Sequence, residues 1–236
     1  RIAFVNKMDR AGANPIRVMQ QLRDKLGHNA HMITLPIGAE DKFQGVIDLV
    51  DMKAWYFDGA NGENVRIEEI PADLIASAKE RRHELVAATG DFDDDVAHLY
   101  LEDKEVSSEL LRIAVRKATL SLKFIPVMCG SAYKNKGVQM LLDAVGHYLP
   151  NPTEATNEAH DQDKDEEKVV LESDFKKPFV GLAFKLEDGR FGQLTYMRIY
   201  QGKILKGDFI VNSTNQRKVK IPRLVRMHAD EMNDIT

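Results

Sequence analysis

The chain has 236 residues with a formal net charge of −4, and is 43% hydrophobic and 30% charged. That is the profile of a globular protein with room for one large or two medium domains. No apolar run reaches the roughly 18–20 residues that span a bilayer, and the single cysteine, Cys129, excludes an internal disulfide. The small negative charge argues against a dedicated nucleic-acid binder. The charge is uneven, however: residues 175–228 net +9, leaving −13 on the rest. Two modules facing different partners would carry such an asymmetry, as would a lysine-rich surface kept for solubility.

The chain opens on Arg1 and runs at once into apolar residues 2–5, which predict a buried strand needing neighbours on both sides. Such an opening is expected of an internal piece of a longer protein. After the polar loop 6–10, Pro15 begins a helix to about Leu26. Ile16, Met19, Leu22 and Leu26 recur at helical spacing, and Gly27 is its stop. A strand is expected at 31–37, and strands over 43–57 broken by the turn-prone residues 58–62. Pro71 opens a solvated amphipathic helix to about Thr89, carrying Lys79, Glu80, Arg81 and Arg82; shorter helices follow at 96–101 and 107–122. Residues 125–128 predict a second buried strand, and Cys129, closing the apolar run 125–129, reads as a small buried hydrophobe. An amphipathic helix over 137–149 ends at Pro150 and Pro152. The acidic, aperiodic stretch 153–168 reads as a flexible linker or surface loop. Beyond it, strands at 179–186, 193–200, 209–212 and 219–225, separated by Gly189, Gly202 and Gly207, predict an all-β barrel.

Two loops carry chemistry. Asn6-Lys7-Met8-Asp9 directly follows the first buried strand, at the edge where α/β sheets bind ligands. It is the Asn-Lys-x-Asp pattern with which GTPases read guanine. Guanine offers two adjacent donors, N1–H and the N2 amino group, which a carboxylate such as Asp9 accepts together in charge-assisted bonds. Adenine would leave that carboxylate desolvated and unpaired, at about 1–3 kcal/mol per lost partner. Lys7 can lay its stem along the base, and Asn6 can tie the loop to its neighbours and reach the base edge. Gly130-Ser131-Ala132 follows the other buried strand: the Ala132 N–H can donate to guanine O6 and the Ser131 hydroxyl can brace Asp9. The candidate nucleotide-binding residues are Asn6, Lys7, Met8, Asp9, Ser131 and Ala132. The aromatic run Trp55-Tyr56-Phe57 reads as packing, and the seven histidines as surface or packing residues.

NKMDRAGAN from Asn6 and GSAYKNKGV from Gly130 resemble elongation factor G, as does PFVGLAFKLEDGRFGQLTYMRIYQGKILKGD from Pro178. GRFGQLTY, ending in YQG, is nearer the mitochondrial form than the bacterial one. The resemblance implies an α/β fold: the C-terminal part of a P-loop-type GTPase domain over 1–152, with an inserted α+β subdomain over about 38–122. A linker over 153–177 and an incomplete all-β barrel over 178–236 follow. It implies GTP as ligand and ribosome-dependent hydrolysis coupled to movement of tRNA and mRNA, by a monomer in the mitochondrial matrix, or in the cytoplasm if bacterial. The ribosome is the implied partner, through small-subunit rRNA at the barrel, where Arg190 and Lys206 are candidate phosphate contacts, and through the stalk protein at the insertion. A paralogue that recycles ribosomes, or a ribosome-binding scaffold without GTPase activity, would share these motifs. The phosphate loop, switch motifs, catalytic histidine and Mg²⁺ ligands of the family would lie upstream. The piece alone is therefore expected to be inactive, with no catalytic or metal-binding residue of its own.

Overall fold

Residues 125–129 are buried at every position, as a strand covered on both faces must be. The structure is a computed structural model describing residues 1–189, 192–229 and 231–235. Its backbone divides into two units, Arg1–Pro150 and Asn151–Thr236. In chain order the first unit holds β1 (Ala3–Val5), α1 (Pro15–Leu26), β2 (Ala30–Met32), β3 (Thr34–Ile37), a 3-10 turn (Glu40–Lys42), β4 (Gly45–Asp48), β5 (Lys53–Asp58) and β6 (Asn64–Glu68). It continues with α2 (Ile75–Gly90), α3 (Asp94–Leu101), α4 (Ser108–Leu120), β7 (Ile125–Cys129) and α5 (Val138–Tyr148).

β7 is the middle of a parallel three-stranded sheet, β1-β7-β2. Val5 lies opposite Cys129 and Ala30 opposite Ile125. α1 starts where expected: Asn14 caps it by accepting the Arg17 N–H at 2.9 Å, and Gly27 closes it in the left-handed conformation at φ 64°. The strand expected over 31–37 is two strands. β2 stays in the parallel sheet, while β3 begins the antiparallel sheet β3-β4-β5-β6. Residues 71–74 form a turn ahead of α2, so that helix starts four residues later than the Pro71 signal suggests.

α2 has a solvated face, with Lys79 and Glu80 exposed, but Arg82 is half-buried and turned to the backbone. Its guanidinium donates to the carbonyls of Leu49, Val50 and Val106, satisfying backbone acceptors that packing has removed from water. His31 is a packing residue. It stacks on Phe124 with centroids 5.4 Å apart and planes 2° from parallel, and burial beside Arg23 lowers its pKa to about 4. Cys129 is fully buried, which pushes its thiol up to about 12 and leaves it unreactive.

The second unit holds β8 (Asn157–Asp161), β9 (Glu167–Leu171), β10 (Val180–Gly189), β11 (Gly192–Gln201), β12 (Phe209–Asn212), β13 (Arg217–Lys220), β14 (Leu224–His228) and β15 (Glu231–Ile235). The segment read as an aperiodic linker contains the β8–β9 hairpin. The strand expected over 219–225 is interrupted at 221–223, where Pro222 has no N–H to give a ladder. β10–β11, β12–β13 and β14–β15 pair as separate antiparallel hairpins, and among the described residues no ladder joins them into a closed barrel. Leu182, Phe184, Leu186, Phe209 and Val211 remain exposed. Arg190 lies outside the described residues.

Asp48 gives a test of the first unit. Its carboxylate accepts the Val50 N–H at 2.7 Å, but burial raises its pKa to about 6. A folded-state pKa above the unfolded value means the folded protein holds the proton longer. Stability should therefore fall as pH rises from about 4 to about 6 and level off above. Asp48→Asn keeps the acceptor and removes the charge. It should flatten that slope and add on the order of 2 kcal/mol near neutral pH, a discount on about 1.4 kcal/mol per pKa unit because the group is only partly dry. Urea unfolding of both proteins across this pH range measures it; an unchanged slope would refute it.

Candidate functional site

The β1–β7 register decides the site. Because the strands run parallel with Val5 beside Cys129, the loops that follow them emerge side by side at one sheet edge. The Gly130 N–H donates to Val5 O and the Met8 N–H to Gly130 O, both at 3.1 Å, continuing the ladder past the strands. Gly130 is required: a Cβ there would stand 2.4 Å from Lys136 O and 2.7 Å from the Phe4 ring. The second loop is closed by reciprocal 2.9 Å bonds between the backbones of Ser131 and Lys136, and Gly137, at φ 83°, leads into α5.

Side chains lock the two loops together. Ser131, fully buried, donates its hydroxyl to Asp9 Oδ1 at 2.6 Å. Asn6 Oδ1 accepts the Lys7 N–H at 2.7 Å and the Ala132 N–H at 2.9 Å. With its oxygen so engaged, Asn6 has its amide NH₂ left to offer. The Ser131 hydroxyl holds the Asp9 carboxyl below the usual carboxylate range, against the pull of partial burial and with help from Arg10 and Lys134. Asp9 is therefore ionised near neutrality. Arg10 Nε stands 3.9 Å from its Oδ2. Lys7 is exposed and left-handed at φ 64°.

Two of the six candidates do something other than the sequence suggests. Met8 is completely buried; its side chain anchors the loop in the core and cannot touch a ligand. The Ala132 N–H, expected to meet guanine O6, is already given to Asn6. The other four are an amide (Asn6), an exposed lysine (Lys7), a carboxylate (Asp9) and the buried hydroxyl of Ser131 that holds that carboxylate. Among the described residues, no three His, Cys, Asp or Glu side chains cluster as a metal site requires, and no helix is long and apolar enough to cross a membrane.

Sequence reading missed a second set of contacts. The Glu40 N–H donates to Met8 O at 3.1 Å, while Glu40 Oε1 accepts the Gly12 N–H at 2.7 Å. Lys136 Nζ donates to Phe43 O at 3.1 Å. Gly62, at the β5–β6 turn, is so close to the second loop that a Cβ would lie 2.6 Å from Lys134 O. No motif spacing signals these residues; the antiparallel sheet brings them there.

A family model described as the elongation factor Tu GTP binding domain matches residues 1–151. The chain is 60% identical over its whole length to elongation factor G 2 of Anaeromyxobacter dehalogenans, covering 34% of that protein. It is 53% identical, again throughout, to elongation factor G 1 of Treponema pallidum, covering 34%. Mitochondrial elongation factor G-1 of Arabidopsis thaliana is 51% identical over the whole chain, which covers 31% of it. A crystal structure of a protein from Thermus thermophilus superposes with a TM-score of 0.72 at 25% identity, matched by all of this chain and 32% of that one. The chain thus spans about a third of the length of the relatives it matches.

Removing the Ser131 hydroxyl tests the electrostatics. In Ser131→Ala, Asp9 loses the main group holding its pKa down, so its titration should move up toward the ordinary range. A depressed folded-state pKa stabilises the fold above the unfolded pKa, and that contribution is lost as pH falls through the folded value. The variant should show less of this acid-side loss. Carboxyl-carbon NMR titration of Asp9 reads the shift directly; coincident titrations in parent and variant would contradict it.

Proposed function

The chain belongs to the elongation factor Tu GTP-binding domain family, and from that premise we propose that it is the guanine-reading part of a translational GTPase of the elongation factor G kind. The observation that carries this is the Ser131–Asp9 bond, backed by Asn6–Ala132, which fuses two loops far apart in sequence at the C-terminal edge of a parallel sheet. Asp9, ionised and held on one oxygen, accepts guanine N1–H and N2–H. Asn6 presents its amide to the base edge, and Lys7 covers a base face with its stem. The site fits guanine because its free acceptor would find no donor pair on adenine. GTP, when bound, supplies the phosphoanhydride that is hydrolysed. This chain's residues orient the base; phosphate, Mg²⁺ and water positioning belong to the remainder of a full-length factor, where such chemistry is chiefly positioning and electrostatics.

In the full-length protein this would be a ribosome-dependent GTPase driving tRNA and mRNA movement. The segment of about 38–122 would be the inserted subdomain meeting the stalk protein, residues 153–177 the linker, and 178–236 the start of a second domain resting on small-subunit rRNA. The phrase GRFGQLTY supports the mitochondrial form, while the bacterial relatives at 53–60% identity are as near as the plant mitochondrial one at 51%. The proposal is therefore the activity common to both.

Lys206 is exposed on the turn before β12. If the basic face meets rRNA, Lys206→Glu in the full-length protein should weaken ribosome binding and flatten its salt dependence, with GTP affinity off the ribosome unchanged. A parental salt slope would make this face an ordinary solvated surface.

The decisive substitution is Asp9→Asn in the full-length protein. It sets a donor against the guanine N2 amino group, yet suits the carbonyl oxygen that xanthine carries there. GTP affinity should fall by about 2–4 kcal/mol, the worth of two charge-assisted bonds. Affinity for xanthosine triphosphate should rise, and ribosome-dependent turnover should follow the new base. Unaltered preference between the two nucleotides would mean that Asp9 does not read the base.

A further inference from the structure

We propose that Glu40 is a positioning residue for the nucleotide site: it clamps the loop bearing Asn6, Lys7 and Asp9 so that these groups stand ready before the base arrives. The proposal rests on the guanine reading of that loop. Residues 7–13 form two consecutive turns, with the Arg10 N–H on Lys7 O at 3.0 Å and the Ala13 N–H on Arg10 O at 3.1 Å. Such a loop, projecting from a sheet edge, would be free on its outer side. Glu40 closes that side twice. Its backbone N–H meets Met8 O, one residue before Asp9, and its carboxylate takes the Gly12 N–H, three residues after. Asp9 is thus fixed between two bonds to one residue.

The conformation of Glu40 agrees. It is left-handed at φ 56°, a region that residues with a Cβ seldom occupy and that persists where surroundings dictate it. Lys7, inside the clamped loop, is left-handed as well. Gly38, just before, has no room for a side chain, since a Cβ would lie 2.0 Å from Lys42 O. The turn is therefore built tightly onto β3 and cannot drift from the loop it holds. The same turn also reaches the second loop, because Phe43 O accepts from Lys136 Nζ. One short turn of the antiparallel sheet thereby braces both loops of the base site. A base bound to a braced loop leaves slowly, since binding then costs little ordering of the site.

The test is release of a fluorescent GDP analogue from the full-length protein by stopped flow. Glu40→Gly keeps the N–H and tolerates φ 56°, so it isolates the carboxylate. Glu40→Ala removes the carboxylate too, and Glu40→Gln retains an acceptor for Gly12. Release should quicken about 3- to 10-fold in the Gly and Ala variants, the scale of one lost hydrogen bond. In the Gln variant it should stay within about twofold of the parent. Preference for GTP over xanthosine triphosphate should not change, because Glu40 touches no base. Parental release rates in the Gly and Ala variants would overturn the proposal. So would equal acceleration in Gln and Ala, or an acceleration matched by a remote core variant such as Val96→Ala at equal loss of apo-protein urea midpoint. Asp9→Asn, run in the same assay with both nucleotides, judges the guanine reading separately: it can fail while Glu40 still governs release, or succeed while Glu40 does not.

Discussion

The parallel pairing of β1 with β7 is the constraint from which the site follows. Val5 beside Cys129 brings two loops into register, and the ladder runs on through Gly130 and Met8. A one-residue slip would exchange the faces of the strands, placing Ser131 out of reach of Asp9. The register is held because β7 is wholly buried and because the Thr34 hydroxyl accepts the Cys129 N–H at 3.0 Å from the start of the neighbouring sheet. The polar site is thus aligned by apolar burial, with one hydroxyl fixing the strand end.

Charged groups in the first unit are placed to close gaps in the backbone as much as to pair. Arg82 satisfies three carbonyls where β4, α2 and the start of α4 meet. Arg112 holds Asp51 in a two-pronged bond at 2.7 and 2.9 Å, joining α4 to the β4–β5 turn. Lys117 pairs with Asp93, whose buried side chain also caps α3 through the Val96 N–H. Of these groups Asp93 alone is fully buried, so loss of Lys117 would leave a buried carboxylate without its ion pair.

What the sequence made legible follows from how local each signal is. Helix α1 could be placed to the residue because Pro15 and Gly27 act within one turn of chain. Both loops of the candidate site were visible for the same reason, as compact motifs after apolar strands. The division of 31–37 into two sheets was not legible, since a change of partner leaves no mark on an apolar run. Arg82 looked like a solvent residue because nothing near it in sequence shows that three carbonyls await it. β15, with Glu231, Asn233 and Asp234, has a polar composition that β propensity does not pick out. The barrel expectation came from strand spacing, which specifies hairpins through their turns; ladders between hairpins depend on partners that spacing does not name. Ala132 was assigned by motif to the base, and the competing acceptor, Asn6 Oδ1, lies 126 residues away in sequence.

The same distance has a consequence for biosynthesis. Asp9 and Ser131 are separated by 122 positions, with the whole antiparallel sheet and four helices, α1 to α4, between them. A chain leaving the ribosome N-terminus first exposes Asn6–Asp9 long before Ser131 exists to hold them, and β1 gains β7 as its neighbour only when that last strand emerges. Contacts of such long range form late, after the intervening chain has condensed. During synthesis the intervening residues are therefore available to pack while the loop bearing Asp9 still lacks Ser131. The two loops can be joined only once β7 has emerged and paired with β1.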